Sequence, residues 1–174
     1  YTVAPGEVSK VFRTKYGYEM PLTLTRQVKE WRQHQANEIL IEAARVARSR
    51  NSDLTITQCC LPADNNFYMS LQRGFDDWDS IACRDDVDTF STSILIDAEV
   101  PQATHERIAR LTVATARRYG KRSQRWVKSF LDSPADLDDI RKSVHAYATA
   151  GIDSIFSWTY RAGKGTFLSA PDPD

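Results

Sequence analysis

The stretch GIDSIFSWTYRAGKGT (residues 151–166) places Trp158, Tyr160 and Arg161 where an apolar run gives way to a glycine-containing loop. Ile152, Ile155 and Phe156 read as core, whereas two aromatic rings and a guanidinium are groups that stack on a ligand and hydrogen-bond to it. In α/β proteins ligands bind at that place, outside the carboxyl ends of parallel strands. RSQRWVKSFL (122–131) carries a similar set, with Gln124, Trp126 and Lys128 at alternate positions. Alternate residues of a strand share a face, so each set would project together. Other chemistries find no support. His34, His105 and His145 fall on expected helices without metal-ligand spacing, and each reads as a surface or boundary histidine. No nucleophile elbow, dinucleotide fingerprint or phosphate loop is present, so no cofactor or metal is expected. Gly163 and Gly165 around Lys164 read as a plain loop.

The elements that must position these residues alternate. Residues 26–50 have helical spacing through Val28, Trp31, Ile39, Ala43 and Val46, with Thr23 or Thr25 as the cap. LTITQCCLP (54–62) is a buried strand. A loop and a short helix starting near Asp76 or Asp77 lead to a second strand, VDTFSTSILI (87–96). QATHERIARLTVATARRYG (102–120) is an amphipathic helix closed by glycine. A third strand, 122–131, precedes SPADLDDIRKSVHAYATAG (133–151), which opens on Ser-Pro with acids in its first turns and ends in glycine. IDSIFSWTY (152–160) is the fourth strand. Helices alternating with strands predict a parallel sheet, either part of a (β/α) barrel or a small open doubly wound sheet.

The composition bounds the partners. The 174 residues suit one domain, and 23 basic residues balance 23 acidic ones. That balance gives no electrostatic reason to expect nucleic acid or an anionic membrane. No apolar run approaches the roughly 20 residues that span a bilayer. YTVAPGEVSK has no basic start followed by an apolar core, so the chain reads as cytoplasmic or as one whose start lies upstream. Cys59, Cys60 and Cys83 suggest buried thiols in a reducing compartment rather than a disulfide framework.

In order, YGYEMP, VKEWRQ, DLTITQCCLP, DDWDSIACRDDVDTF, YGKRSQRWVKSF and AGIDSIFSWTYRAGKG resemble the C-terminal half of glycoside-hydrolase-like TIM barrels, from about residue 12 onward. The resemblance aligns Gln124, Trp126 and Val127 with the seventh strand, and Gly151 through Arg161 with the aromatic-rich eighth. It implies strands five to eight, with FRTKYGYEMP as the loop after the fourth, and a carbohydrate partner. A full barrel has eight strands in about 250 residues, so a partner chain, a second copy or a missing N-terminal half would complete it.

Glycosidic-bond hydrolysis uses paired carboxylates. At the expected strand ends stand Asp64, Asp97, Glu99 and Asp132. Asp132 is the best-placed nucleophile by position, although it or Ser133 also suits a helix cap, and Asp97 and Glu99 read as solvated loop acids. The sixth strand ends in apolar SILI where such barrels carry polar or aromatic residues. The clusters Asp76, Asp77, Asp79 and Asp85, Asp86, Asp88 lack the EF-hand pattern and read as caps on the opposite barrel face. Lys128, Trp126, Trp158, Tyr160, Arg161 and, from the long loop, Tyr68 would line a sugar-binding mouth if these faces point into the barrel. If they point outward, the same aromatics pack beneath helices.

Overall fold

A computed structural model describes residues 6–21, 25–60, 77–93, 101–128 and 134–158. Helices α1 (Glu7–Tyr16) and α2 (Arg26–Arg50) precede strand β1 (Thr57–Cys60). Then follow α3 (Trp78–Ala82), β2 (Thr89–Thr92), α4 (Gln102–Arg118), β3 (Arg122–Lys128), α5 (Pro134–Ala150) and β4 (Ser154–Trp158). The strands form a wholly parallel four-stranded sheet in the order β1-β2-β3-β4, with β1 and β4 at its edges. The chain is thus mixed α/β, as the alternating pattern predicts. The core lies on one face of the sheet. Cys60 and Phe90 pack with Trp78 and Ile81 of α3 and with Ile108 and Ala116 of α4. Val127 packs with Ala109 of α4 and with Ala146 and Tyr147 of α5. Helices α3, α4 and α5 therefore cover the same side. Among the described residues no helix is long and apolar enough to cross a membrane.

Helix ends follow local chemistry. Thr25 caps α2 by accepting from the Val28 amide, and Asp77 caps α3 by accepting from the Ser80 amide. Gly120 and Gly151 close α4 and α5 at positive φ (66° and 77°), a conformation that a Cβ strains.

Two expectations need correction. Residues 12–16 are not loop but the last turns of α1. Phe12 is buried there against Trp31, with ring centroids 5.5 Å apart, and Met20 and Val28 complete that cluster. On α2, Val28 and Trp31 are buried, but Ile39 is 70% exposed and Ala43 and Val46 are also exposed. The apolar spacing continues past the point where α1 stops covering it.

Each end of the sheet has its own fastening. At the amino end, Asp88 precedes β2 and its carboxylate accepts from the Ile56 amide and Arg48, both at 2.7 Å. Asp153 precedes β4 and accepts from the amide and hydroxyl of Ser123, both at 2.7 Å. Near the carboxyl end, Arg125 of β3 is fully buried. Its guanidinium donates to Thr92 Oγ1 and to the Ser93 carbonyl at 2.7 Å each, and to the Tyr147 hydroxyl at 3.3 Å. It also lies 5.0 Å from the centre of the Tyr147 ring. Thr92 Oγ1 is shared with Thr112 of α4 at 2.8 Å.

Arg125→Ala leaves a void and strands these partners, so urea unfolding should show a loss on the order of 3 kcal/mol. Arg125→Met refills the space and should lose clearly less; equal losses would rule out a distinct contribution from the guanidinium's bonds. Asp153 is held below the ordinary aspartate range by the Ser123 hydroxyl and then its amide, and Asp88 chiefly by the Ile56 amide. With folded values depressed, their contribution is present at neutral pH and is lost as pH falls below about 4. Urea midpoints from pH 7 to pH 3 should fall less steeply for Asp153→Asn than for the wild type.

Candidate functional site

Burying Arg125 and Val127 under helices turns Gln124 and Trp126 to the other face, because strand side chains alternate. On that face Cys59, Ser91, Gln124 and Ser154 stand in register across all four strands. They form a hydrogen-bonded row. The Ser91 hydroxyl donates to Gln124 Oε1 at 3.1 Å, and Gln124 Nε2 donates to Ser154 Oγ at 3.3 Å. One step toward the carboxyl end, Trp126 pairs with Phe156, with centroids 4.9 Å apart and planes inclined by 41°. Trp126 is half-buried, and its Nε1 has no hydrogen-bond partner among the described residues. Phe156 is 46% exposed. One step further, Lys128 and Trp158 are paired by backbone register; their side chains lie outside the description.

This arrangement offers neutral hydroxyl and amide groups beneath a tilted aromatic pair. It can hold a ligand that has both polar edges and an apolar face. It does not supply an ionised nucleophile. Burial pushes the Cys59 thiol up to about 12, with Ser91 and the charge of Arg125 offsetting only part of that effect. Burial likewise holds the Cys60 thiol well above its ordinary value. No strand position sharing this face is acidic among the described residues. Among them, too, no group of three or more His, Cys, Asp or Glu could hold a metal ion.

Trp126 and Gln124 thus lie on the sheet face opposite α3, α4 and α5. Tyr68, Asp132, Tyr160 and Arg161 lie outside the described residues, as do Asp64, Asp97 and Glu99. Phe156 reads as core in the sequence but is exposed beside Trp126, and Ile155 is 43% exposed on the edge strand. Phe156 is two positions from Trp158, so the alternation rule applied to the whole strand finds it. Ser91 and Ser154 carry no sequence signal beyond their parity. His105 is buried rather than at the surface or boundary. It sits on α4 with Nδ1 3.4 Å from Ser143 Oγ, in the helix layer. Burial, then the charge of Arg125, lowers its pKa, so it is neutral at pH 7. His34 and His145 are exposed. Of the acidic clusters, Asp77 is a cap, Asp86 pairs with Arg84, and Asp88 pairs with Arg48.

No protein-family model matches the chain, and no curated protein matches it. Among solved structures it resembles a crystal structure from Bacteroides thetaiotaomicron described as a "putative alpha-L-fucosidase", with a TM-score of 0.51 and 13% identity. The match covers 86% of this chain and 52% of that one, so this chain spans about half that structure's length. At such identity the likeness concerns the fold alone.

The three thiols should differ in reactivity. Cys83 is exposed, whereas Cys60 is buried and Cys59 is held protonated. Iodoacetamide at pH 8 should alkylate Cys83 in the folded protein and all three cysteines in urea. Equal folded-state labelling of Cys59 would contradict its placement.

Proposed function

We propose that this chain is a single-domain segment of a glycoside-hydrolase-like (β/α) barrel, with β1–β4 as the last four strands, and that the sheet face opposite α3, α4 and α5 binds carbohydrate. The observation that supports this reading best is the Trp126–Phe156 pair on that face, near the carboxyl ends of parallel strands. Aromatic faces stack on the apolar faces of pyranose rings, while Gln124 and the exposed Ser154 hydroxyl suit sugar hydroxyls. The fold likeness to the Bacteroides structure favours the same direction. In this reading Trp158 and Lys128, paired in register one step beyond, would extend the surface, and Tyr160, Arg161 and Tyr68 would contribute to its mouth.

Asp132, which follows β3, is the proposed catalytic carboxylate. Hydrolysis requires a second carboxylate across the scissile bond, one group protonating the leaving oxygen while the other attacks the sugar or activates water. In this reading that group comes from four further β/α units, on a partner chain or elsewhere in the same polypeptide. They would pair with the edges of β1 and β4 and cover Ile155. A second reading keeps the sugar and drops the reaction. It is favoured by the lack of any carboxylate on the sheet face among the described residues.

Calorimetric titration with L-fucose and a panel of other monosaccharides tests the binding. Trp126→Ala should weaken the preferred sugar about tenfold, equivalent to roughly 1.4 kcal/mol. Unchanged affinity would overturn the sheet-face assignment. If aryl-glycoside hydrolysis is present, Asp132→Asn should reduce kcat by at least about a thousandfold while leaving sugar affinity within a few fold. Binding without hydrolysis in wild type and variant alike would select the non-catalytic reading.

A further inference from the structure

Helix α2 presents an unusual side to the rest of the molecule. Arg26, Lys29, Glu30, Gln33 and Asn37 fall at helical spacing on one stripe, and with Asp77 and Ser80 at the start of α3 they line a cavity of about 570 Å³. A helix facing its own protein normally turns an apolar stripe inward. Here the stripe is amide and charge. Gln33 is only 6% exposed, and its Oε1 has no hydrogen-bond partner among the described residues. Its Nε2 donates to Asn37 Oδ1 at 2.9 Å, which fixes the amide in place. A buried amide oxygen left unpaired is costly, so the cavity calls for a hydrogen-bond donor.

The surrounding groups restrict what brings that donor. Arg26 is already paired with Glu30 at 2.7 Å, and Asp77 is engaged as the α3 cap. Arg26 and Lys29 face Glu30 and Asp77 across a lining that also includes the imidazole of His34, a mix that favours neither a simple anion nor a simple cation. Every lining residue carries a polar or charged group, although apolar stem atoms make up most of the wall, and the volume lies within the roughly 300–1,000 Å³ of small-molecule pockets. Hydroxyl groups donate and accept at once, so a polyhydroxylated molecule suits an orphan acceptor ringed by paired charges.

We propose that the cleft between α2 and α3 is a binding site for a small neutral polyol of monosaccharide size. It is separate from the sheet face, because Asp77 and Ser80 lie on the helix side of the sheet, where Trp78 packs on Phe90. The assignment does not require the barrel reading.

Amide-resolved NMR titration with myo-inositol and with D-glucose tests it. L-alanine serves as a zwitterionic control and inorganic phosphate as an anionic one. The polyols should shift the side-chain amide resonances of Gln33 and Asn37. Gln33→Met, which keeps the volume, should weaken the fitted affinity about tenfold with an unchanged circular dichroism spectrum. If that variant misfolds, the wild-type resonances still decide. Shifts confined to Gln124 and Trp126 would place the polyol on the sheet face alone and overturn the proposal. No shift at millimolar polyol would mean that water fills the cleft, and a response to alanine or phosphate instead would reject the ligand class. Failure at the sheet face leaves the Gln33 signal unaffected, so the two readings fail separately.

Discussion

A guanidinium with no acidic partner among its described contacts, held in the interior, governs how this sheet is arranged. Taking Arg125 out of water is expensive, and the enclosing groups must replace its hydration. They do so in part, from two elements around β3, while Nε has no partner among the described residues. Thr92 and Ser93 contribute from the end of β2, Tyr147 contributes its hydroxyl and ring face from α5, and Arg125 itself belongs to β3. A one-residue slip would put the guanidinium on the opposite face and leave all three partners unmatched. The register of β2 against β3 is therefore specified by polar geometry as well as by apolar packing.

The composition of the opposite face follows from that specification. Because Arg125 and Val127 point toward α4 and α5, Gln124 and Trp126 point away, and the neighbouring strands align Ser91, Ser154 and Phe156 with them. Among the described residues the helices packed on the sheet, α3, α4 and α5, lie on one side, and the other side carries polar groups and a tilted aromatic pair. A barrel places such a face inside, toward its mouth; an isolated sheet leaves it to solvent. The edge strand β4 exposes a residue on each side, Phe156 beside Trp126 and Ile155 on the face of Arg125.

Much of this organisation can be read from residue order. The helices that became α4 and α5 are bounded by Gly120, Gly151 and a Ser-Pro start, which act locally and so survive in any context. The strands between them are legible as β-branched or apolar runs. What failed depended on contacts distant in sequence. Residues 12–16 form the end of a helix because Phe12 meets Trp31, nineteen positions on, while the fading of the apolar stripe along α2 reflects how far α1 reaches. Burial of His105 depends on Ser143 of the neighbouring helix. The site was half legible: alternation correctly grouped Gln124 with Trp126, but it could not choose the face. That choice is made by Arg125, a residue type that usually signals a surface.

The fastenings of the sheet have a mechanical consequence. Asp88 joins β1 to β2 at their starts, Arg125 joins the middle of β3 to the end of β2, and Asp153 joins β3 to β4 at their starts again. Successive joints are staggered, like the offset seams of a brick course. A tear entering between β1 and β2 from the amino end breaks one joint and then meets the next seam at the opposite end. The sheet resists unzipping along any single edge, and strain applied at one rim is passed diagonally to the other.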